Sequence, residues 1–296
     1  MIQKPQRIVM FTTSESASDL IDICHRGGYG KVIAVVYPKN RRNTEKVEYV
    51  KQMAKAYGLP VIEQPYKDRV DEFDKILDDL GAGLGISWSY SQVLQPSTLN
   101  RFPLGIWNMH GGRIPEYRGA NVLQWAIANG ERELGVTWHI MREEIDAGEI
   151  LAEDTVNIEP EETALDARAK IFAKGIELFE QLWKKFICGN LTPKPPDLSK
   201  GRMYPPRKPI HGMILRNMTY WQIKNLLRAQ CPPWPSPYLV IENQLRPVLG
   251  VSLEKTQGDF EFHCASGSVF LHLGDAWKDD ALLKESMELL NKNAGD

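Results

Sequence analysis

The chain has 296 residues, 43% of them hydrophobic, which is enough for one large core and a smaller appendage. Its 36 Lys and Arg against 38 Asp and Glu give a formal charge of -2, so it lacks the positive excess that holds a long nucleic-acid backbone. This composition is typical of a globular enzyme and excludes a protein that binds nucleic acid through general positive charge.

Strands and helices alternate through the first ninety residues. Short apolar runs at 7–11, 31–37, 60–64 and 81–89 predict buried strands. Amphipathic stretches at 17–27, 44–58 and 70–80 predict the helices between them. This order predicts βαβ units and an α/β fold with a parallel sheet, whose ligands gather at the carboxyl ends of the strands.

The next predicted strand, IWNMH at 106–110, brings two polar groups to one face. Side chains two apart on a strand point the same way, so Asn108 and His110 lie together, opposite Trp107 and Met109. Gly111-Gly112 follow and permit a sharp turn out of the sheet. The sequence therefore places an amide beside an imidazole where an ordered loop begins.

A helix and two more strands follow this loop. Asn121 stands at a helix N-cap position, and the helix ends at 129–130. In GVTWHIM at 135–141 the alternation gives one apolar face and one face with Thr137 and His139. Asp146 stands in the turn before the strand at 149–158, and we expect that turn to fold back over Asn108 and His110.

The sequence pattern changes after the predicted strand at 149–158. A long amphipathic helix covers 163–187, and a stretch rich in Pro, Lys and Gly follows it. Beyond that come a short helix at 219–229 and alternating segments, GDFEFHC and GSVFLHL, that predict short antiparallel strands. We predict a catalytic domain at 1–190, a linker at 191–203 and a smaller α+β or β-rich subdomain at 204–296.

Cysteine usage and targeting signals bear on the compartment. The four cysteines lie far apart without Cys-x-x-Cys spacing, which argues against a zinc site and a disulfide framework and indicates a reducing environment. The N-terminal apolar run is too short for a signal peptide, and no stretch approaches the ~20 apolar residues of a membrane span. We expect a cytoplasmic protein without a membrane partner, and no metal-ligand spacing predicts a metal site.

The polar groups and their order resemble the formyltransferase family that uses 10-formyltetrahydrofolate. The resemblance is carried by Asn-x-His at 108–110, Ile-Pro-x-Tyr-Arg-Gly at 114–119, Gly-Val-Thr at 135–137, and Asp-x-Gly at 146–148 followed by Ile150. It covers the first 190 or so residues as a Rossmann-like transferase domain and continues more faintly into the tail. The His-Gly-Gly and Gly-Val-Thr-Trp-His runs look most like the branch that formylates amino sugars attached to nucleotides.

The resemblance implies a catalytic trio of Asn108, His110 and Asp146. Amine attack on a formyl carbonyl creates an oxyanion and a surplus proton on nitrogen, and both need partners. Asn108 offers an N–H to the oxygen, and His110 donates when protonated or accepts when neutral. Asp146 orients His110 and accepts the proton of the amine, directly or through water.

The resemblance also implies binding residues around the trio. It assigns the folate to the end of the strand at 81–89 and to the loop after His110, and the sugar nucleotide to neighbouring positions. The predicted folate-binding residues are Ile86, Ser87, Trp88, Ser89, Arg113 and Ile114, and the predicted substrate-binding residues are Tyr90, Gly111, Arg118 and His139. For His139 the direction of its strand face leaves two alternatives open, since the ring either faces the amino sugar or fills a polar layer. The first strand lacks a following Gly-x-Gly-x-x-Gly, which argues against nicotinamide binding.

Three functions stay open. The preferred one is N-formylation of a nucleotide-linked amino sugar for surface polysaccharide, a lipopolysaccharide or O-antigen, with a 4-amino sugar such as dTDP-4-amino-4,6-dideoxyglucose or UDP-4-amino-4-deoxy-arabinose as acceptor. The second is methionyl-tRNA formylation, against which the tail from 201 onward counts, since its 11 Lys and Arg against 10 Asp and Glu leave about +1. The third is a folate- or nucleotide-binding protein without turnover. Family habit also suggests a homodimer.

Overall fold

The computed structural model describes residues 5–293 of the chain. Within that range the strands are β1 (Gln6–Thr12), β2 (Gly30–Pro38), β3 (Val61–Gln64), β4 (Leu84–Trp88), β5 (Ile106–His110), β6 (Arg118–Gly119), β7 (Glu133–Ile140), β8 (Ile150–Asn157), β9 (Met203–Tyr204), β10 (Tyr238–Ile241), β11 (Gln244–Ser252), β12 (Phe260–Cys264) and β13 (Gly267–Leu273). The helices are α1 (Ala17–His25), α2 (Glu45–Ala56), α3 (Val70–Leu80), α4 (Pro96–Leu99), α5 (Val122–Ala128), α6 (Ala164–Ile187), α7 (Tyr220–Ala229) and α8 (Asp280–Asn293).

The large sheet has the order β3-β2-β1-β4-β5-β7-β8. Its β1, β2, β3, β4 and β5 pair in parallel, and β7 runs antiparallel to β5. Strand β1 lies inside the sheet between β2 and β4, and its Ile8, Val9, Met10 and Phe11 are fully buried, as expected for a strand covered on both faces. The chain winds outward from β1 in both directions, so the predicted α/β, Rossmann-like fold is confirmed, with its switch point between β1 and β4.

Alternation along β4, β5 and β7 gives the sheet one aromatic face. Trp88 and Trp138 stack with ring centroids 6.0 Å apart, and the indole of Trp107 meets Trp183 of α6. The Trp138 indole N–H donates to the carbonyl of Gly175 on α6 at 2.8 Å. Helix α6 therefore covers this face, and the polar side chains of the same strands are left on the other.

The C-terminal segment forms an antiparallel sheet, β10-β11-β13-β12. Its core contains Ile223 of α7 together with Val248 and Leu271, all with no exposed surface. Helix α8 is tied to the sheet by the hydroxyls of Tyr238 and Ser286, which lie 2.8 Å apart. The predicted β-rich character of the tail is thus confirmed.

By internal contacts the chain divides into two compact units. The first contains the chain up to Arg118, Gly135–Val156 and Ile171–Met203; the second contains Gly119–Leu134, Asn157–Lys170 and the chain from Tyr204 onward. The division at 203 and 204 coincides with the predicted start of the subdomain. The continuous bounds 1–190, 191–203 and 204–296 stay a proposal, because two inner segments group with the tail.

One local expectation is corrected. Asn121 does precede α5, but its side chain caps no helix N–H, and its backbone is left-handed with φ 54°. Its Oδ1 accepts instead from the backbone N–H of Arg207 at 3.0 Å. The side chain that sequence assigns to the helix end is thus used to hold a segment far along the chain. In residues 5–293 no helix is long and apolar enough to cross a membrane.

Candidate active site

The polar face of β4, β5 and β7 carries a hydrogen-bonded chain. Ser87 and Asn108 are register partners, and Asn108 faces His139 across the antiparallel pair. The hydroxyl of Ser87 donates to Oδ1 of Asn108 at 2.8 Å. Nδ2 of Asn108 lies 3.1 Å from Nε2 of His139. The carboxamide of Asn108 is therefore oriented from both ends.

His110 lies one step along the same face, and both of its ring nitrogens have partners. Nε2 lies 2.6 Å from the carbonyl oxygen of Tyr117, to which it donates. Nδ1 lies 3.5 Å from Oδ2 of Asp146. The structure thus brings Asn108, His110 and Asp146 together.

The position of Asp146 depends on an unusual turn. Its backbone is left-handed, with φ 50°, a conformation that concentrates at functional sites. Two residues later, a Cβ on Gly148 would lie 1.8 Å from the carbonyl oxygen of Ile140, so only glycine fits this close approach to β7. The Asp-x-Gly spacing therefore places the carboxylate over the polar face.

The loop after His110 is fastened to the same turn. Arg118 follows the carbonyl that binds His110 and is 8% exposed. Its Nη1 donates to Oε1 of Glu144 at 2.7 Å. On the far side of the loop, a Cβ on Gly135 would lie 2.3 Å from the backbone nitrogen of Arg113, so glycine is required where the loop crosses β7.

The electrostatics of the site favour a neutral His110. Burial lowers the pKa of His110, and the neighbouring His139 lowers it further. The Asp146 carboxylate and the Tyr117 carbonyl act the other way, but the pKa stays below its ordinary value. At neutral pH the ring is accordingly an uncharged tautomer with its hydrogen on Nε2.

The predicted folate-binding residues divide by burial. Ile86, Ser87 and Trp88 have no exposed surface. Ser89 turns the chain out of β4 with φ 54°, and its carbonyl accepts from the hydroxyl of Thr13. Arg113 is exposed and Ile114 is 2% exposed. Their assignment to the folate stays a proposal.

Two of the predicted substrate-binding residues have partners within the protein, and their binding roles stay proposals. His139 is 1% exposed and lies beside Asn108 and Asp146. Tyr90 packs its ring edge-on against Phe11 and donates its hydroxyl to Gln64.

The other two predicted substrate-binding residues are held by the protein. Arg118 is buried against Glu144, and Gly111 is half-buried, with room for a Cβ 3.4 Å from Ile171. Their binding roles stay proposals.

Sequence reasoning missed the groups that orient the trio. These are the carbonyl of Tyr117, which accepts from His110, and the hydroxyl of Ser87, which donates to Asn108. Two groups around them were missed as well, the carbonyl of Ile140 beside His139 and the carboxylate of Glu144 beside Arg118. A carbonyl gives no residue-type signal. The strand pairing of β4 with β5 was the only available sign for Ser87, since it puts Ser87 beside Asn108. In residues 5–293 no group of three His, Cys, Asp or Glu side chains is arranged to hold a metal ion.

Comparison with known proteins decides the family. The Formyl transferase family model matches residues 6–181. The chain belongs to the formyl transferase family. The methionyl-tRNA formyltransferase of Myxococcus xanthus is 30% identical over 280 residues, which cover 90% of this chain and 88% of that protein. The predicted family and the prediction of a formyl-transferring enzyme are confirmed.

Solved structures share the fold of this formyltransferase. A 4-N formyltransferase from Francisella tularensis has 20% identity and a TM-score of 0.67, covering 93% of this chain and 99% of that one. The N-formyltransferase from Helicobacter canadensis, in complex with folinic acid and dTDP-3-aminofucose, has 17% identity and a TM-score of 0.65, covering 91% and 100%. At these identities the likeness establishes the fold.

Proposed function

We propose that this formyltransferase moves the formyl group of 10-formyltetrahydrofolate to the amino group of a nucleotide-linked amino sugar. The observation that carries the transfer chemistry is the placement of Asn108, His110 and Asp146 on one face, with the imidazole and carboxylate 3.5 Å apart. A 4-amino sugar on a dTDP or UDP carrier is the preferred acceptor, and the product enters surface polysaccharide such as lipopolysaccharide O-antigen.

Each member of the trio has a distinct task in this chemistry. Nδ2 of Asn108 gives one hydrogen to His139 and keeps the second for the developing oxygen of the formyl carbon. Asp146 takes the proton that the amine loses as its bond to the formyl carbon forms. The nitrogen of the folate takes up a proton as it leaves, so the enzyme ends the cycle with the proton count it began with.

His110 acts on Asp146 and on the charge of the site. Its Nε2–H is used by Tyr117, so the ring faces the carboxylate with a lone pair on Nδ1 while it is neutral. When Asp146 has received the proton, Nδ1 can share it, and the resulting imidazolium stabilises the negative oxygen beside it. A pKa lowered by burial and by His139 keeps His110 ready to accept that proton near neutral pH.

The chemistry of the donor set fits a formylated folate. Backbone groups after β4, where Ser89 turns the strand out of the sheet, offer donors and acceptors to the edge of a pterin. The exposed guanidinium of Arg113 suits the carboxylates of the glutamate tail. The trio then meets the formyl carbon with its oxygen toward Asn108.

The acceptor is argued from charge. From Gly201 onward, 11 Lys and Arg against 10 Asp and Glu leave about +1, which gives little drive to bind a transfer-RNA backbone. A sugar nucleotide carries two phosphates and needs only a few local donors. The Helicobacter canadensis neighbour was solved with such a sugar nucleotide, dTDP-3-aminofucose, which supports this acceptor class.

Methionyl-tRNA formylation is the second candidate, and a specific observation favours it. Curated relatives at 30% and 35% identity, from Myxococcus xanthus and a Synechococcus strain, are methionyl-tRNA formyltransferases. A homodimer built through the C-terminal segment remains a further prediction for either candidate.

Formyl transfer measured by mass spectrometry separates the candidates. The purified chain is given 10-formyltetrahydrofolate with a panel of 3-amino and 4-amino sugars on dTDP, UDP and GDP, and with charged initiator transfer RNA. We expect a sugar nucleotide to gain one formyl group in the wild type and none in His110→Ala. Formylation of the transfer RNA alone would replace the sugar proposal by the second candidate. Transfer to neither, with folate still bound, would favour a binding protein without turnover.

A further inference from the structure

The trio leaves one titratable group of the polar face without a task. His139 is 1% exposed, yet its ring is surrounded by polar atoms. Nδ1 lies 3.0 Å from the carbonyl oxygen of its neighbour Ile140. Nε2 lies 3.1 Å from Nδ2 of Asn108 and 3.3 Å from Oδ1 of Asp146. A buried imidazole that contacts two members of a catalytic trio acts on those members.

The backbone fixes which nitrogen of His139 carries the hydrogen. A carbonyl only accepts, so Nδ1 of His139 holds the hydrogen and donates it to Ile140. In the neutral ring Nε2 is then a lone pair, and it accepts from the carboxamide of Asn108. Orientation of an imidazole by a carbonyl on its far nitrogen is the usual way in which proteins select a tautomer.

This lone pair determines how Asn108 is turned. With Ser87 donating to Oδ1 and His139 accepting from Nδ2, the carboxamide has one stable orientation. Without His139, rotation by half a turn would present Oδ1 where the formyl oxygen becomes negative, and two acceptors would repel each other. The orientation of the oxyanion donor therefore depends on a residue that is almost fully buried.

The Asp146 carboxylate lies between the two imidazoles. Oδ1 of Asp146 lies 3.3 Å from Nε2 of His139, and Oδ2 lies 3.5 Å from Nδ1 of His110. Both imidazole nitrogens are lone pairs in the neutral rings, because a backbone carbonyl holds the opposite N–H of each. A lone pair repels a charged carboxylate, so in these tautomers neither ring binds Asp146 by a hydrogen bond until Asp146 has taken up a proton.

We propose that His139 is a positioning residue, which fixes the Asn108 carboxamide in the orientation that formyl transfer needs, with Ser87 as the outer end of the same chain. This role rests on the proposed function and deepens it, since it lies behind the trio. His139 touches neither the formyl donor nor the acceptor.

The first test needs no substrate. Full-length protein labelled with ¹⁵N at histidine is titrated by NMR, together with His139→Gln and with His25→Gln as control. His25 also has a ring nitrogen that accepts a hydrogen bond, in its case from the backbone N–H of Val32 at 3.0 Å, and it is remote from the trio in sequence. We expect hydrogen on Nδ1 of His139 and on Nε2 of His110.

The same titration shows whether the two rings interact. The titratable groups that act on His110 are Asp146, which raises its pKa, and His139, which lowers it. The pKa of His110 is therefore expected to rise in His139→Gln and to stay unchanged in His25→Gln. Hydrogen on Nε2 of His139, or an unmoved titration of His110 in His139→Gln, would overturn the proposal whatever the enzyme formylates.

The second test separates positioning from substrate contact. In His139→Phe, kcat is expected to fall by about 10²-fold, the typical loss from misplacing reacting groups by about 1 Å, with KM unchanged for donor and acceptor. His139→Gln, which returns an amide near Nε2, recovers part of that loss, and Ser87→Ala loses less than His139→Phe. If thermal unfolding shows that His139→Phe does not fold, kcat and KM are compared between the wild type, His139→Gln and Ser87→Ala instead.

The kinetic and NMR measurements test the positioning role independently. An unchanged kcat in His139→Phe, or a raised KM at full kcat, would overturn the positioning role. If the wild type formylates no acceptor, the proposed function fails, while the tautomers and the titration of His110 still decide whether His139 orients Asn108.

Discussion

At the scale of single residues, the site depends on the partner of each nitrogen. Asn108 and His110 share a face because they stand two apart on β5, and this follows from the sequence alone. The ring of His110 gains its role from the Tyr117 carbonyl and from Asp146, which come from two different loops. The position of His110 on β5 therefore does not by itself tell which groups its ring nitrogens bind.

Loss of the Asn108 donor gives the most direct prediction. Asn108→Ala is expected to lower kcat by about 10²–10³-fold, as removal of one oxyanion donor does, with residual transfer from the remaining groups. Asn108→Asp, which keeps the shape and removes the N–H, is expected to be as severe. Initial rates of formyl transfer under saturating donor check both, with the exposed Asn190→Ala as control. Full activity in Asn108→Asp would show that the carboxamide gives no hydrogen bond to the oxygen.

The lowered pKa of His110 predicts how stability changes with pH. The unfolded chain binds a proton at the ordinary pKa, and the folded chain resists it because His110 is buried. The stability from the neutral ring is present above the unfolded pKa and is lost as pH falls through the folded pKa. Urea unfolding at pH 7.5 and at pH values below the unfolded pKa of ~6.5 should show a smaller loss for His110→Gln than for the wild type. An equal loss in both proteins would contradict the prediction.

At the scale of elements, two connections build the site. The loop after β5 carries the Tyr117 carbonyl, and the turn before β8 carries Asp146. Arg118 and Glu144 join them, but Glu144 has 60% of its side chain exposed, so this ion pair contributes about 0–1 kcal/mol. The close approach of Gly148 to β7 is the stronger constraint, since no side chain fits there.

A methyl group at Gly148 should therefore harm the site more than loss of the ion pair. Gly148→Ala forces the turn away from Ile140, at an expected cost of about 1–3 kcal/mol in the free energy of unfolding. Displacement of Asp146 by about 1 Å is expected to lower kcat by about 10²-fold. Chemical denaturation and initial rates measure the two effects. Gly83→Ala, where the nearest atom is 3.5 Å from the added methyl, is the matched control.

At the scale of the whole molecule, charge bears on what the enzyme accepts. The formal charge of -2 and the near-neutral segment from Gly201 onward give little general attraction for a polyanion. The fold is shared by sugar N-formyltransferases, and the curated relatives act on methionyl-tRNA. The fold therefore does not distinguish a sugar nucleotide from transfer RNA as the acceptor, and we use the charge of the chain to distinguish them.

The near-neutral charge of the segment from Gly201 onward predicts that transfer RNA binds too weakly to saturate the protein at any of the salt concentrations tested. Fluorescence anisotropy with labelled initiator transfer RNA, from 50 to 200 mM salt, is expected to show no saturable binding, while a protein neutralising several phosphates loses about 10³–10⁵ in affinity over that range. The Myxococcus xanthus methionyl-tRNA formyltransferase serves as the positive control. Tight, strongly salt-dependent binding by this chain would transfer preference to the second candidate.

The sequence by itself determined the order of elements and the two faces of the strands. Apolar runs and periodicity depend on near neighbours, so they predict β1 to β5, the antiparallel tail and the placement of Asn108 beside His110. Gly148 and Gly135 also carry a local signal, because a glycine in a strand or turn marks a close approach.

The tertiary structure alone decided the partners and the burial of the polar groups. Backbone carbonyls of Tyr117 and Ile140 select the tautomers of His110 and His139, and a carbonyl is the same in every residue. The near-complete burial of His139 also depends on the packed strands and turns around it. The grouping of Gly119–Leu134 with the C-terminal unit was likewise hidden, because contacts between distant segments depend on how the whole chain packs.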